Sequence, residues 1–368
     1  MDSTRAPSLA PAQNGWIGGA RFDLAFFFGS GLLAALAGAL AVARPTLLLP
    51  MWFLWTGLVE GPHLVATWQR TYFDARMRRE QGRLLLTSLA WMLPGPLALL
   101  ATWISGRPEP FALFLGAAAL WSYHHTVRQH HGVLSIYQRL GRADARARKL
   151  DSRLLHISLW SGFALFLLIH PANRAVLGIA APPSILLAAG AVALALLLAA
   201  WAMQLALRAR RGEPLKPGLF ALIVAAGTTL FSMFYVGMHE PLLDNALTPE
   251  QIFMAATLVS GTVHGIQYLG IVIATGKRRA ASEADPHSLS ARLGRAPALA
   301  YTLMVALSVL YVGLDVMRGG AWLVPGKGAQ ACLALYWGLF FHHYWMDQKI
   351  WRPSADPRLR AELGLGAA

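Results

Sequence analysis

The sequence predicts an all-α, polytopic membrane helix bundle. Three observations carry that prediction: a composition poor in charge, a series of long apolar runs, and a lopsided placement of basic residues. Only 14% of the 368 residues are charged while 56% are hydrophobic; soluble globular domains carry roughly 25% charged residues. About 20 helical residues cross the hydrocarbon layer. Ten runs reach that length within a few residues: 22–43, 46–68, 84–104, 111–134, 154–171, 183–207, 217–238, 250–274, 298–316 and 329–348. Run 183–207 has no ionisable side chain before Arg208 and is expected to face lipid.

The basic residues set the orientation. In a ten-span topology, twenty-six Lys and Arg fall on one side. Only Arg44, Arg107, Arg174, Arg318 and Lys327 fall on the other, and Arg128 lies inside a span. The positive-inside rule then puts both termini in the cytoplasm, and the expected localisation is a bacterial inner membrane. Much of the net charge of +14 is thereby a topology signal. Nucleic acid is excluded as a partner, because no folded soluble surface interleaves basic and aromatic residues. Contact with anionic membrane lipids accounts for the basic loops, and docking of an acidic cytoplasmic protein is the alternative.

The expected organisation is a loose cytoplasmic tail over 1–21, one transmembrane domain over 22–352, and a second cytoplasmic tail over 353–368. The first segment lacks the charged-then-apolar pattern of a signal peptide. The longest loop is expected over 275–297. Cys332 is the lone cysteine, so no intramolecular disulfide and no cysteine metal motif can form.

Nine of the twelve histidines gather toward the cytoplasmic end of this bundle. His63, His124, His264 and His342 each lie about 13 to 16 residues from the outer end of a span, roughly 20–25 Å down. His130 and His131 lie about two turns lower, and His156 enters from the cytoplasmic side to a similar level. His125 and His343 complete the set. Histidine is costly in hydrocarbon, so convergence at one depth points to a metal or haem site. His170, His239 and His287 fall elsewhere and are excluded.

Each helix adds detail. In the WSYHHTVRQHHG segment, His124, Arg128 and His131 recur on one helical face, which favours His124 over His125 as the inward member of its pair. Arg128 calls for a carboxylate, a substrate anion or a haem propionate. In EGPHLVATW, Glu60 and His63 form an E-x-x-H pair of the kind used in carboxylate di-iron bundles, and Pro62 is expected to kink the helix. In FFHHYWMDQKIW, His343 and Asp347 are one turn apart, so the carboxylate can ligate metal or orient the ring. Trp345 and Trp351 fit an interfacial belt. In SGTVHGIQYLG, His264, Gln267 and Tyr268 share a face, and nearby glycines favour close helix approach. Asp315 is expected near the outer interface. The candidate metal ligands are thus His63, His124, His125, His130, His131, His156, His264, His342, His343, Glu60 and Asp347. Arg128, Gln267 and Tyr268 are candidate catalytic residues.

Imidazoles with a few carboxylates and no thiolate suit iron, zinc, copper or manganese. Seven or more histidines exceed one tetrahedral zinc, so two metals fit better. A histidine cage inside an apolar bundle resembles the integral-membrane non-haem di-iron oxygenases: fatty-acid desaturases, sterol and alkane hydroxylases, and the bacterial membrane dioxygenases that cleave beta-carotene. The H-x3-H and H-x2-HH boxes of the desaturase type are replaced here by HH-x4-HH, an isolated HH and single histidines, so no residue roles carry over. The resemblance implies two iron ions and O2-dependent oxidation of an apolar lipid or isoprenoid substrate, with a cytoplasmic electron donor where the chemistry requires one. A haem b electron carrier, with axial histidines on facing helices, and a metal or lipid transporter are the alternative expectations.

Overall fold

The computed structural model describes residues 15–238, 247–282, 287–317 and 326–366, and these are helical without a strand. Among the described residues seven helices are long and apolar enough to cross a membrane, as in a multi-pass membrane protein. They match seven of the ten expected runs, from Ala20–Ala43 to Pro297–Met317. The other three expected runs, 46–68, 111–134 and 329–348, are helical too but fall below that apolar standard. They are the runs that carry His63, the HH-x4-HH segment and His342–His343. Polar side chains needed for a buried site dilute the hydropathy of the helices that carry it.

Among the described residues the chain divides into two compact units, one of Thr56–His125 and the described residues from Tyr268 on, the other of residues 15–55 and the described residues of Thr126–Gln267. Two of the boundaries fall inside unbroken helices, Glu109–Leu140 and Pro249–Ser282.

In the second unit, helices Gly29–Ala43, Ala145–Ile169, Ser184–Arg210 and Lys216–Met238 pack together. Close approach requires glycine: a Cβ on Gly227 would run into the backbone of Gly31 on the facing helix. Arg208 is almost wholly buried and holds Asp151 at 3.0 Å, so a charge from the end of the plainest span is neutralised inside the bundle. Residues 15–19 are not loose, in contrast to the expected tail over 1–21. The Ile17 and Gly18 amides each donate to Asp23 at 2.7 Å, and Ile17 is fully buried. The remainder of that expected tail, 1–14, lies outside the described residues.

In the first unit, helix Lys327–Ile350 is the hub, packed on helices Gly61–Arg70, Pro94–Ser105 and Val309–Met317. The helical run from 48 to 70 contains a π-helical segment, Thr56–Glu60, directly before Gly61 and Pro62. The extra residue of a π-turn rotates the helix beyond it, a device common at functional sites; here it precedes His63. Two other expectations give way. The loop expected over 275–297 is largely helical, since Pro249–Ser282 runs on and Leu289–Arg295 comes after it. The expected cytoplasmic tail over 353–368 holds a helix, Pro357–Glu362.

Candidate metal centre

Three helices of the first unit each present one buried imidazole to a common point. His63, His125 and His343 offer ring nitrogens that lie within 4.8 Å of one another. The His63 and His343 rings meet edge to face at 4.4 Å, and His125 and His343 at 5.1 Å. Asp347, one turn after His343, sets Oδ2 3.6 Å from His125 Nε2 and 3.5 Å from His343 Nε2. Glu60 sets Oε2 3.7 Å from His63 Nδ1. Ligands held at about 2.1 Å around a tetrahedral ion are about 3.4 Å apart, so the Asp347 contacts already have the spacing of a shared coordination sphere.

The protonation pattern follows from the hydrogen bonds. Tyr268 Oη donates to Asp347 Oδ1 at 2.7 Å, because a carboxylate only accepts. Thr67 Oγ1 lies 2.7 Å from Tyr268 Oη, whose proton is already used, and 3.2 Å from Asp347 Oδ1, so its one proton goes to these acceptors. Thr67 then accepts from His343 Nδ1 at 2.7 Å. The relay His343 to Thr67 to Tyr268 to Asp347 fixes the proton on Nδ1 and leaves the Nε2 lone pair bare. That Nε2 is buried without a hydrogen-bond partner among the described residues. A bare imidazole nitrogen in a dry interior is costly unless something else binds it, and orienting a ring through its far nitrogen is how proteins prepare metal-binding histidines.

His264, one turn before Tyr268 on helix Pro249–Ser282, belongs to the second unit. His63, His125 and His343 form a buried histidine group that can hold a metal ion. In the second unit, His130 is prepared in the same manner. Gln267 Nε2 donates to the Phe27 carbonyl at 3.1 Å, so its Oε1 faces His130 Nδ1 at 2.9 Å and must accept from it. His130 Nε2 is left bare and fully buried, with its ring 6.3 Å from that of His264. Phe27 can spare its carbonyl because it sits in a second π-helical segment, Leu24–Phe28.

Sequence reasoning chose the wrong member of one pair. His124 and Arg128 are exposed, whereas His125 is buried, because the apolar face of Glu109–Leu140 runs through Val127, His130, Val133 and Leu134. The repeat of His124, Arg128 and His131 marks the outward face instead. His342 turns away from the cluster: its Nε2 meets Tyr72 Oη at 2.8 Å and Ser88 Oγ at 3.2 Å. His131 and His156 face each other, rings 5.0 Å apart, in the second unit. Of the candidate catalytic residues, Gln267 and Tyr268 orient histidines and Arg128 stands outside. His170 caps the Pro171–Leu177 helix and reaches the Pro249 carbonyl at 2.9 Å, a structural role. His239 lies outside the described residues. Asp315 is fully buried and accepts from Thr56 at 3.2 Å.

Sequence reasoning missed the polar support beneath the site. Trp351, expected in an interfacial belt, donates to Tyr268 Oη at 3.3 Å and stacks under the Arg70 guanidinium, 4.3 Å away. Arg70 and Arg279 converge on Glu362, at 3.1 Å and 2.7 Å, and Arg279 also holds Asp74. Burial pushes the Glu362 carboxyl up, but the two arginines outweigh it and hold the group below its ordinary range. Burial holds the Arg70 guanidinium below its ordinary value, with Arg279 acting in the same direction. The only sequence signal for this network was charge in a stretch taken to be a tail.

Comparison with protein-family models, with curated proteins and with solved structures finds no match. The chemistry of the site is therefore the guide to its role.

Proposed function

We propose that this chain is an integral-membrane, metal-dependent oxidoreductase that uses iron held by His63, His125 and His343, with Asp347, to oxidise an apolar lipid or isoprenoid substrate with O2. The observation that carries the reading is the bare His343 Nε2 facing other buried imidazoles and a carboxylate inside a membrane protein. Borderline nitrogen and hard oxygen donors without thiolate suit iron. Bound iron would supply redox chemistry toward O2, with electrons from a cytoplasmic donor where the oxidation requires them.

The surroundings support an apolar substrate. A small pocket of about 20 Å³ is walled by Leu64, Val65, Trp68, Leu307 and Tyr311, and His343 lines it. The helix over 297–317 is interrupted at Ser308, flanked by exposed Leu307, Val309 and Leu310. The chain's own residues then hold the ring tautomers, keep the site dry and leave Nε2 atoms free to bind. A haem is less compatible, because three imidazole nitrogens within 4.8 Å of one another leave no slab for a macrocycle.

The test is elemental analysis with an optical spectrum on detergent-purified protein from iron-replete cells. At least one iron per chain and no Soret band are expected. Less than one iron per chain, or a Soret band, overturns the reading.

A further inference from the structure

Helices Glu109–Leu140 and Ala145–Ile169 each bring one half-buried histidine to a contact inside the second unit. His131 and His156 face each other with ring centres 5.0 Å apart and planes inclined at 61°. An imidazole nitrogen binds an ion at about 2.1 Å, which places the ring centre about 3.2 Å from the ion. Two imidazoles on one ion therefore hold their ring centres about 4.5 Å apart at a right angle and about 5.2 Å apart at the tetrahedral angle. The observed spacing falls between these values.

Local hydrogen bonds prepare the pair. His156 Nδ1 donates to the Ser152 carbonyl, one turn earlier, at 2.8 Å. A carbonyl only accepts, so the proton sits on Nδ1 and Nε2 keeps its lone pair. A bond of this kind orients metal-binding imidazoles. Gln138 shares the face of His131 and is buried; its Nε2 donates to the Arg148 carbonyl at 3.1 Å and to the Ser152 hydroxyl at 3.4 Å. The residue that fixes the His156 tautomer thus also ties its helix to that of His131, and the rings are positioned before any ion arrives. Beyond the Ser152 bond, no described residue hydrogen-bonds either ring and no described carboxylate pairs with them.

The neighbours select the ion. Exposed Arg128 and Arg153 lie one turn before His131 and His156. Their charges oppose hard cations such as Mg2+ and Ca2+, which are held by oxygen ligands. Neutral imidazoles suit borderline ions such as Zn2+ and Ni2+, and Cu2+ most of all. Two protein ligands leave positions for water, so a bound ion exchanges. We propose that His131 and His156 form a second, exchangeable site for a borderline divalent transition-metal ion that clamps the two helices together. The pair shares no ligand with His63, His125 and His343, and neither proposal depends on the other.

The experiment titrates the untagged full chain in detergent with Cu2+ complexed by nitrilotriacetate. That chelate leaves two positions for imidazole and is too large for the buried histidines. Pulsed EPR counts the imidazoles on the copper. The wild type is expected to bind one complex through two imidazoles. His131→Gln and His156→Gln should each leave a single imidazole and weaken binding roughly 100-fold, the scale of losing one arm of a two-point attachment. The melting temperature of the copper-free protein should not change. His124→Gln, which alters an exposed histidine of the same helix, should bind as the wild type does. A single imidazole on copper in the wild type, or undiminished binding by either folded variant, overturns the proposal. Should one variant not fold, the wild-type count and the other variant decide.

Discussion

Glu362 accepts a hydrogen bond from Arg70 at 3.1 Å across 292 residues of sequence, and both side chains are buried. This bond docks the C-terminal helix under the residues that orient His343. Arg70 stacks on Trp351, Trp351 reaches Tyr268, and Tyr268 carries the relay to Thr67 and His343.

Removing the Glu362 charge should be costly. Glu362→Gln leaves Arg70 and Arg279 buried with one fewer countercharge, and breaking buried pairs of this kind costs about 3–5 kcal/mol. Thermal unfolding in detergent should show a clear loss of stability; an unchanged midpoint would mean that the ion cluster is not the dock.

The same pair sets a pH dependence. The folded Glu362 carboxyl is held below its unfolded value, so its contribution is fully present above the ordinary glutamate range. It is lost as pH falls through the depressed folded value. Stability of the wild type should therefore decline on acidification in that window, and Glu362→Gln should show a flatter profile. Parallel profiles for the two proteins would contradict the assignment.

Paired substitutions distinguish the histidines. His343→Ala and His125→Ala should lower bound metal below half the wild-type content, whereas His342→Ala and His124→Ala should retain it. Metal content per chain by elemental analysis is the measurement, and the opposite pattern would restore the outward face as the ligand face.

The relay makes Thr67 a positioning residue. Thr67→Val keeps the shape but removes the acceptor that fixes His343 Nδ1–H, and loss of such outer hydrogen bonds costs roughly 10–100-fold in metal affinity. Competition with a chelator should show that drop, while Thr67→Ser stays near wild type.

Helix approach in the second unit depends on Gly227. Gly227→Val must displace the Gly31 backbone and should destabilise by about 1–3 kcal/mol, as overpacking does. Unfolding curves should separate it from Gly237→Ala, where an added Cβ meets open space.

By itself the sequence determined the membrane-spanning helical class, because it follows from hydropathy. It also singled out His63, His264, His343 and Asp347 as candidate ligands. Helix rotation was beyond it. Two residues of an HH pair sit about 100° apart, and the choice of His125 over His124 was made by the packing of Val127, Val133 and Leu134 on one side of Glu109–Leu140. The three least apolar expected spans carry the site, so the residues that make function legible are the ones that blur hydropathy. The Thr67 relay and the Arg70–Glu362 dock belong to tertiary structure alone, since they join segments whose separation in sequence leaves no local periodicity to read.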